Sequence, residues 1–373
     1  MRFAPAEGRL VCDHCGNVEE ITDDAPEAGP WGEAPGGIRE LDFRSALRDR
    51  LDASEMEETR VTQCPSCGAQ VTLAADVHAK ECPFCATPVV TDTGTHRHVK
   101  PQGLIPFQLT EKQAHDAMND WLGRLWFAPN GLQDYARKGR KMDGIYVPFW
   151  TYDADTRTGY SGQRGTAYHV TVRGADGKTR TVRRIRWRHV TGRVSRFFDD
   201  VLVLASRSLP KGFTDGLAPW SLEALQEYRP DYLSGFRAEG YTVDLDEGMQ
   251  EARAIMDAQI RQDIRRDIGG DAQRIGVYDT DISGVTFKHI LLPVWVAAYR
   301  YRGEPYRFVV NGQTGKVRGE RPWSAIKIAI AVILAIILGA AVFYGLQIAD
   351  EGGLDFGGLQ GGGPPGLPLP EGK

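Results

Sequence analysis

The chain has 373 residues, 42% of them hydrophobic, and a formal net charge of -4 at pH 7. That length supports two modest domains with a real core, and the near-balanced charge argues neither for nor against a nucleic-acid partner. All six cysteines fall in three Cys-x-x-Cys pairs, and Met1-Arg2-Phe3-Ala4-Pro5-Ala6-Glu7 has no apolar run of a secretory signal, so the thiols point to metal in a reducing compartment rather than to disulfides.

The first pair is Cys12-Asp13-His14-Cys15-Gly16. Two sulfurs are half of a tetrahedral set, so residues 1–22 read as a partial zinc ribbon. Aligning Cys12 with Cys82 and Cys15 with Cys85 makes residues 1–11 the loop of a ribbon whose first knuckle lies upstream of Met1, in a longer natural chain. Three alternatives stay open. His14, His78, His96 or His98 completes the site; two chains share one ion; or the half-site has decayed and holds no metal.

Residues 23–37 are rich in Asp, Pro and Gly and read as a linker. Ile38, Leu41, Leu47 and Leu51 recur near helical spacing, which predicts an amphipathic helix over residues 38–58. Cys64-Pro65-Ser66-Cys67-Gly68 and Cys82-Pro83-Phe84-Cys85 follow, fourteen residues apart. Each turn presents two thiolates on one side of a tight knuckle, and together Cys64, Cys67, Cys82 and Cys85 supply a tetrahedral Zn2+ site over residues 61–92. Gly68 admits the positive φ that follows the second sulfur. Short strands are expected at Val71-Thr72-Leu73 and Pro88-Val89-Val90.

Within residues 93–141, Thr110 and Gln113 form a capping box ahead of the apolar face Ala114, Ala117, Met118, Trp121, Leu122 and Leu125, and Pro129 stops that helix. From residue 142 to 322 the pattern turns β-rich. Tyr146-Val147-Pro148-Phe149-Trp150-Thr151-Tyr152 and Leu292-Pro293-Val294-Trp295-Val296-Ala297 share a Pro-x-Trp pattern, which suggests an internally duplicated domain. A helix is expected from Asp244 to Ile268, with Met249, Ala252, Ile255, Met256, Ile260 and Ile264 along one side, and Asn311-Gly312 signals a hairpin. In Arg183-Arg184-Ile185-Arg186-Trp187-Arg188-His189, alternation sets Arg184, Arg186 and Arg188 on one face, either a solvated strand face or a track for phosphates of nucleic acid or lipid. Asp199 and Asp200 are adjacent on a strand and are expected to point to opposite faces, sharing no site.

Ile328 to Leu346 is nineteen residues without a charge, a helix of roughly 28 Å that crosses a bilayer, placed within residues 326–348. Lys316, Arg318, Arg321 and Lys327 precede it and Asp350, Glu351 and Asp355 follow, which puts the N-terminal bulk in the cytoplasm and the tail outside. Residues 349–373, dominated at their end by Gly, Pro and Leu, read as disordered. No phosphate-binding G-x-x-x-x-G-K-[ST], no G-x-S-x-G, no H-E-x-x-H and no G-x-G-x-x-G occurs, so no catalytic residue is expected.

These features together resemble the bacterial membrane-anchored zinc-ribbon proteins found beside flotillin-type and phage-shock-protein-A-type membrane-stress genes. The resemblance rests on Cys64 to Cys85, Ile105-Pro106-Phe107, Gly144 to Trp150, Tyr232-Leu233-Ser234-Gly235-Phe236, Tyr306 to Gly315 and the terminal helix. Members usually carry two ribbons, and the missing first knuckle departs from that pattern. Such proteins are often labelled as like the primosomal replication helicase, which also has zinc ribbons; the absent phosphate loop argues against helicase activity. The expectation is an α+β protein of the bacterial inner membrane, single-pass, with structural zinc. It would act without catalysis as a scaffold for protein partners, flotillin-like or phage-shock-protein-A-like ones by the resemblance. A nucleic-acid-binding role is the alternative.

Overall fold

The computed structural model describes residues 1–21, 38–48, 51–64, 66, 68–72, 79–82, 84, 88–90, 94–127, 142–173, 178–301, 304–320 and 323–351. The linker of residues 23–37, Pro65, Cys67, Leu73, His78, Pro83, Cys85, Pro129 and residues 352–373 lie outside the described residues, as does the side chain of His96. The chain divides into two compact units, Met1–Arg124 with Gly131–Arg321, and Leu125–Asn130 with Pro322–Lys373.

The first unit opens with a small antiparallel sheet of β1 (Arg2–Ala4), β2 (Arg9–Val11) and β3 (Val18–Glu19). β4 (Leu41–Asp42) and α1 (Phe43–Leu47) stand where the sequence suggested a helix over residues 38–58. Asp42 caps α1 through the Ser45 N–H at 2.7 Å, but Leu41 pairs with Phe287, and from Met56 the chain is extended as β5 (Met56–Gln63). Pairing with neighbouring strands outweighs a helical periodicity carried by only four apolar residues. β5 takes β6 (Gln70–Thr72) on one side and β9 (Gly94–Val99) on the other, while β7 (Ala79–Glu81) pairs with β8 (Pro88–Val90).

A nine-stranded sheet carries the body of the unit. β10 (Gly103–Leu104) leads into α2 (Glu111–Gly123), whose capping box at Thr110 and Gln113 is formed and whose Ala114, Met118 and Leu122 are buried. β11 (Asp143–Arg173) lies antiparallel between β12 (Thr179–Leu204) and β15 (Ala272–Tyr301). The two Pro-x-Trp segments are thereby direct neighbours, with Tyr146 opposite Pro293 and Pro148 opposite Leu291. α3 (Lys211–Leu217), β13 (Gln226–Glu227), β14 (Arg237–Ala238) and α4 (Leu245–Ile268) separate β12 from β15. β16 (Glu304–Asn311) and β17 (Val317–Gly319) close the hairpin signalled by Asn311-Gly312.

Alternation along the central strands builds two cores, one on each face. Ile145, Val147, Phe149, Ile290, Leu292 and Val294 face Leu209, Leu217, Cys64, Cys82 and Phe84. Trp150, Tyr152, Ala154, Val201, Val203 and Phe287 face α1 and the Met249, Ala252, Met256, Ile260, Ile264 and Ile268 stripe of α4. Ile255, expected on that stripe, is 43% exposed, one step off the buried side. Each fully buried large side chain contributes about 1.5–3 kcal/mol relative to exposure. Polar ties fix the helix on the sheet: Arg196 donates twice to Asp263 at 2.6 and 2.8 Å, and the Tyr160 hydroxyl donates to Asp267 at 2.6 Å.

In the second unit, α5 (Ala325–Glu351) contains one stretch, Ala325–Leu346, that is long and apolar enough to cross a membrane, with a mean hydropathy of 2.8 and none of it buried. Trp323 stacks obliquely on Phe127 at 6.2 Å just before it.

Candidate metal centres and a basic arm

The two described Cys knuckles have the same backbone. Cys12 N–H donates to the Asn17 carbonyl at 2.9 Å and Gly16 N–H donates back to the Cys12 carbonyl at 2.9 Å; Cys64 with Ala69 and Gly68 repeats this at 2.8 and 2.9 Å. Gly16 and Gly68 have φ of +70° and +75°, a conformation that glycine adopts without penalty. Such a turn aims successive N–H groups at the first sulfur. At Cys12 the Cys15 N–H, then the His14 N–H, lower the thiol pKa and favour the thiolate that binds metal.

The surroundings of the two knuckles differ. Cys15 is exposed and Cys12 half-buried. The N-terminal three-stranded sheet is held by Phe3, whose N–H donates to the Ser234 carbonyl at 2.9 Å and whose ring meets Tyr232 at 5.3 Å and Phe236 at 6.4 Å. Among the described residues no third His, Cys, Asp or Glu donor joins Cys12 and Cys15 in one metal-sized group. His98, one of the expected completing ligands, is instead buried edge-on to Tyr241 at 4.8 Å and lines a cavity of about 40 Å³ with His289 and Glu239.

Cys64 and Cys82, by contrast, are 2% and 3% exposed and belong to the same core cluster as Ile145, Val147 and Leu292. Cys67 and Cys85 lie outside the described residues. The knuckle is tied to the sheet by the Gly240 N–H, which donates to the Gln70 carbonyl at 3.1 Å. By residue type and spacing the four cysteines would suit a Zn2+, and such an ion would link two knuckles whose first sulfurs are eighteen residues apart in the chain. Burial pushes the nearby Glu239 carboxyl up to about 8, against hydrogen bonds from Ser208 and Ser206; the Ser206 bond is 2.7 Å. The structural setting of His289 is similar: burial pushes its pKa down to about 4 while its Nδ1 donates to the Val99 carbonyl at 2.8 Å.

A cluster the strand pattern missed lies at the edge between β11 and β12. Tyr152 pairs with Val201 but Ala154 pairs with Phe198, so Asp153 faces both Asp199 and Asp200 across a bulge. Asp200 has a φ of +52° there. The bulge cancels the alternation that should have turned the two aspartates apart, and oxygens of Asp153, Asp199 and Asp200 come within 4.8 Å of one another. A cation of the chain already sits among them: the Lys288 ammonium is 2.7 Å from Asp200, 3.4 Å from Asp153 and 3.1 Å from Glu40.

Arg184, Arg186 and Arg188 stand on one face of β12, opposite Tyr168, Thr166 and Arg164 of β11, and all three are exposed. Ile185 and Trp187 occupy the other face, where the Arg274 guanidinium stacks 4.0 Å from the Trp187 ring.

No family model matches the chain, and no solved structure matches it. The chain is similar to a protein of Bacillus subtilis (strain 168) described as uncharacterized protein YdjG, with 29% identity over 234 residues, covering 62% of this chain and 67% of that protein.

Proposed function

We propose that the chain is a single-pass protein of the bacterial inner membrane whose zinc-stapled, β-rich cytoplasmic body serves as a non-catalytic scaffold. The observation that carries this reading is the apolar Ala325–Leu346 stretch attached to a body whose core includes Cys64 and Cys82. Basic residues before the helix and acidic ones after it support a cytoplasmic body and an external tail. Zinc in a four-sulfur ribbon leaves no open position for substrate, which supports structure over catalysis. The paired Pro-x-Trp strands support a duplicated origin for the sheet. By the family resemblance, the recruited proteins are flotillin-like or phage-shock-protein-A-like membrane-stress components.

The test is a crosslinking pull-down of the full chain from membranes, with metal analysis of the same preparation. Recovery of membrane-organising proteins and one tightly held zinc or more per chain is the expected outcome. A chain that stays soluble after ultracentrifugation, or that is metal-free with reactive thiols, removes the proposal. A second reading, nucleic-acid binding without a motor of its own, is favoured by the exposed Arg184, Arg186 and Arg188 ladder. Salt-dependent DNA binding lost in the triple serine variant would support it.

A further inference from the structure

Past Gly165, which lies opposite Ala272 at the last rung shared with β15, β11 and β12 pair, among the described strands, only with each other as far as Arg173 opposite Thr179, with one further tie from the Ala167 N–H to the Asp271 carboxylate at 2.8 Å. Eight such rungs, from Thr166 to Arg173, extend roughly 27 Å at about 3.4 Å each. α4 ends at Ile268, beside Gly162, so it covers none of this ribbon. A two-stranded ribbon without a covering layer gains little from its own side chains and is normally stabilised by what it meets.

Its composition is one-sided. Residues 166–188 contain seven Lys and Arg and one acidic residue, Asp176. Among the described residues, Arg183, Arg184, Arg186 and Arg188 form no ion pair, whereas Arg196, back under the helix, is paired with Asp263. The arginines are interleaved with apolar groups on the same face. Tyr168 is opposite Arg184 and Val170 opposite Val182; Tyr168 is 37% and Val182 40% exposed, and the Arg186 guanidinium lies 5.3 Å from the Tyr168 ring.

We propose that this ribbon docks on an anionic phospholipid surface. The inference rests on the membrane-anchored reading above and adds a second, electrostatic contact to it. Guanidinium groups meet headgroup phosphates while valine and tyrosine side chains enter the boundary between headgroups and acyl chains. A nucleic-acid backbone would satisfy the arginines and leave the valines in water, which is why lipid is the better match. Each arginine near an anionic bilayer is worth roughly a fivefold change in partitioning, and salt screens the effect.

The experiment is hydrogen exchange on the full chain in nanodiscs, which leave both leaflets accessible. Exchange over residues 166–173 and 179–188 is expected to slow at least about fivefold when neutral phosphatidylcholine is replaced by a 3:1 mixture with phosphatidylglycerol. High salt should reverse the slowing, and the triple variant Arg184→Ser, Arg186→Ser, Arg188→Ser should abolish it while exchange in α4 stays unchanged. Equal rates in the two lipids overturn the proposal, and so does slowing produced by duplex DNA in neutral discs but not by phosphatidylglycerol. A chain that fails to enter neutral discs sinks the anchored reading instead. The ribbon is then read with phosphatidylglycerol vesicles added to the free chain, by the same criteria.

Discussion

The Lys288 ammonium lies 2.7 Å from the Asp200 carboxylate, with Lys288 Nζ also 3.4 Å from Asp153 and 3.1 Å from Glu40. Burial works against the lysine's charge, yet Asp200 first and Asp153 and Glu40 with it hold its pKa above the ordinary lysine value. Burial raises the Asp153 carboxyl in turn. The lysine therefore neutralises Asp153 and Asp200, which the β-bulge brings together, along with Glu40. Removing one partner of a buried ion cluster leaves uncompensated charge. Lys288→Met is expected to destabilise the body by roughly 3–5 kcal/mol, and Asp153→Asn in the same chain to restore part of it. Thermal denaturation in detergent measures both, and a single variant melting with the parent chain would refute the neutralising role.

Cys64 and Cys82 are buried in the core of the body, whereas Cys15 is exposed. If the proposed ribbon zinc is bound there, its loss should be felt by the whole sheet. Cys64→Ser or Cys82→Ser is expected to lower the melting temperature of the body and its zinc content together, and to leave membrane insertion intact. Cys15→Ser should leave the melting temperature within about 1–2 °C, since a change at an exposed site away from the core is worth within about 0.5 kcal/mol. Zinc stoichiometry and melting curves of the three variants decide it; an unchanged body in Cys64→Ser would mean that the ribbon does not staple the sheet.

Local rules made much of this legible in advance. The Thr110 cap, the α4 stripe, the Asn311-Gly312 hairpin and the positive φ at Gly68 each follow from a few neighbouring residues, and each is present. What local rules missed came from distant pairing. Leu41 is extended because Phe287 lies beside it, and Asp199 and Asp200 approach Asp153 because one extra residue is inserted between two rungs. Neither the bulge nor the partner strand has a signature within ten residues of the aspartates. The docking of Cys64 and Cys82 into the main core was hidden for the same reason: their spacing announces metal ligands and says nothing about what the knuckle rests on.

His289 carries the clearest pH dependence. Its folded-state pKa, pushed down to about 4 by burial, lies below the ordinary value of 6.5. The unfolded chain therefore binds a proton between those values that the folded chain does not. The stability from keeping His289 neutral is complete above about pH 6.5 and is lost as pH falls toward 4, by up to roughly 3 kcal/mol. His289→Phe gives up the hydrogen bond to Val99 but should flatten the melting-temperature slope between pH 6.5 and 4. A variant with the parent's slope would assign the acid sensitivity elsewhere.

Gly248 sits in the first turns of α4, where propensity alone favours alanine by about 1 kcal/mol. Space argues the other way. A Cβ at that position would lie 2.5 Å from the Tyr152 hydroxyl and 2.8 Å from Cδ1 of Trp150. Neither ring can easily yield, because the Tyr152 hydroxyl donates to the Leu245 carbonyl at 2.7 Å and the Trp150 Nε1 donates to the Val243 carbonyl at 2.9 Å. Those bonds fix the entry of α4 onto the sheet, so the helix must shift outward or one bond must break. Overpacking of this kind costs about 1–3 kcal/mol, more than the helix propensity returns. Gly248→Ala is therefore expected to lower the melting temperature of the body, and a rise would show that α4 can move away from Trp150 and Tyr152 without loss.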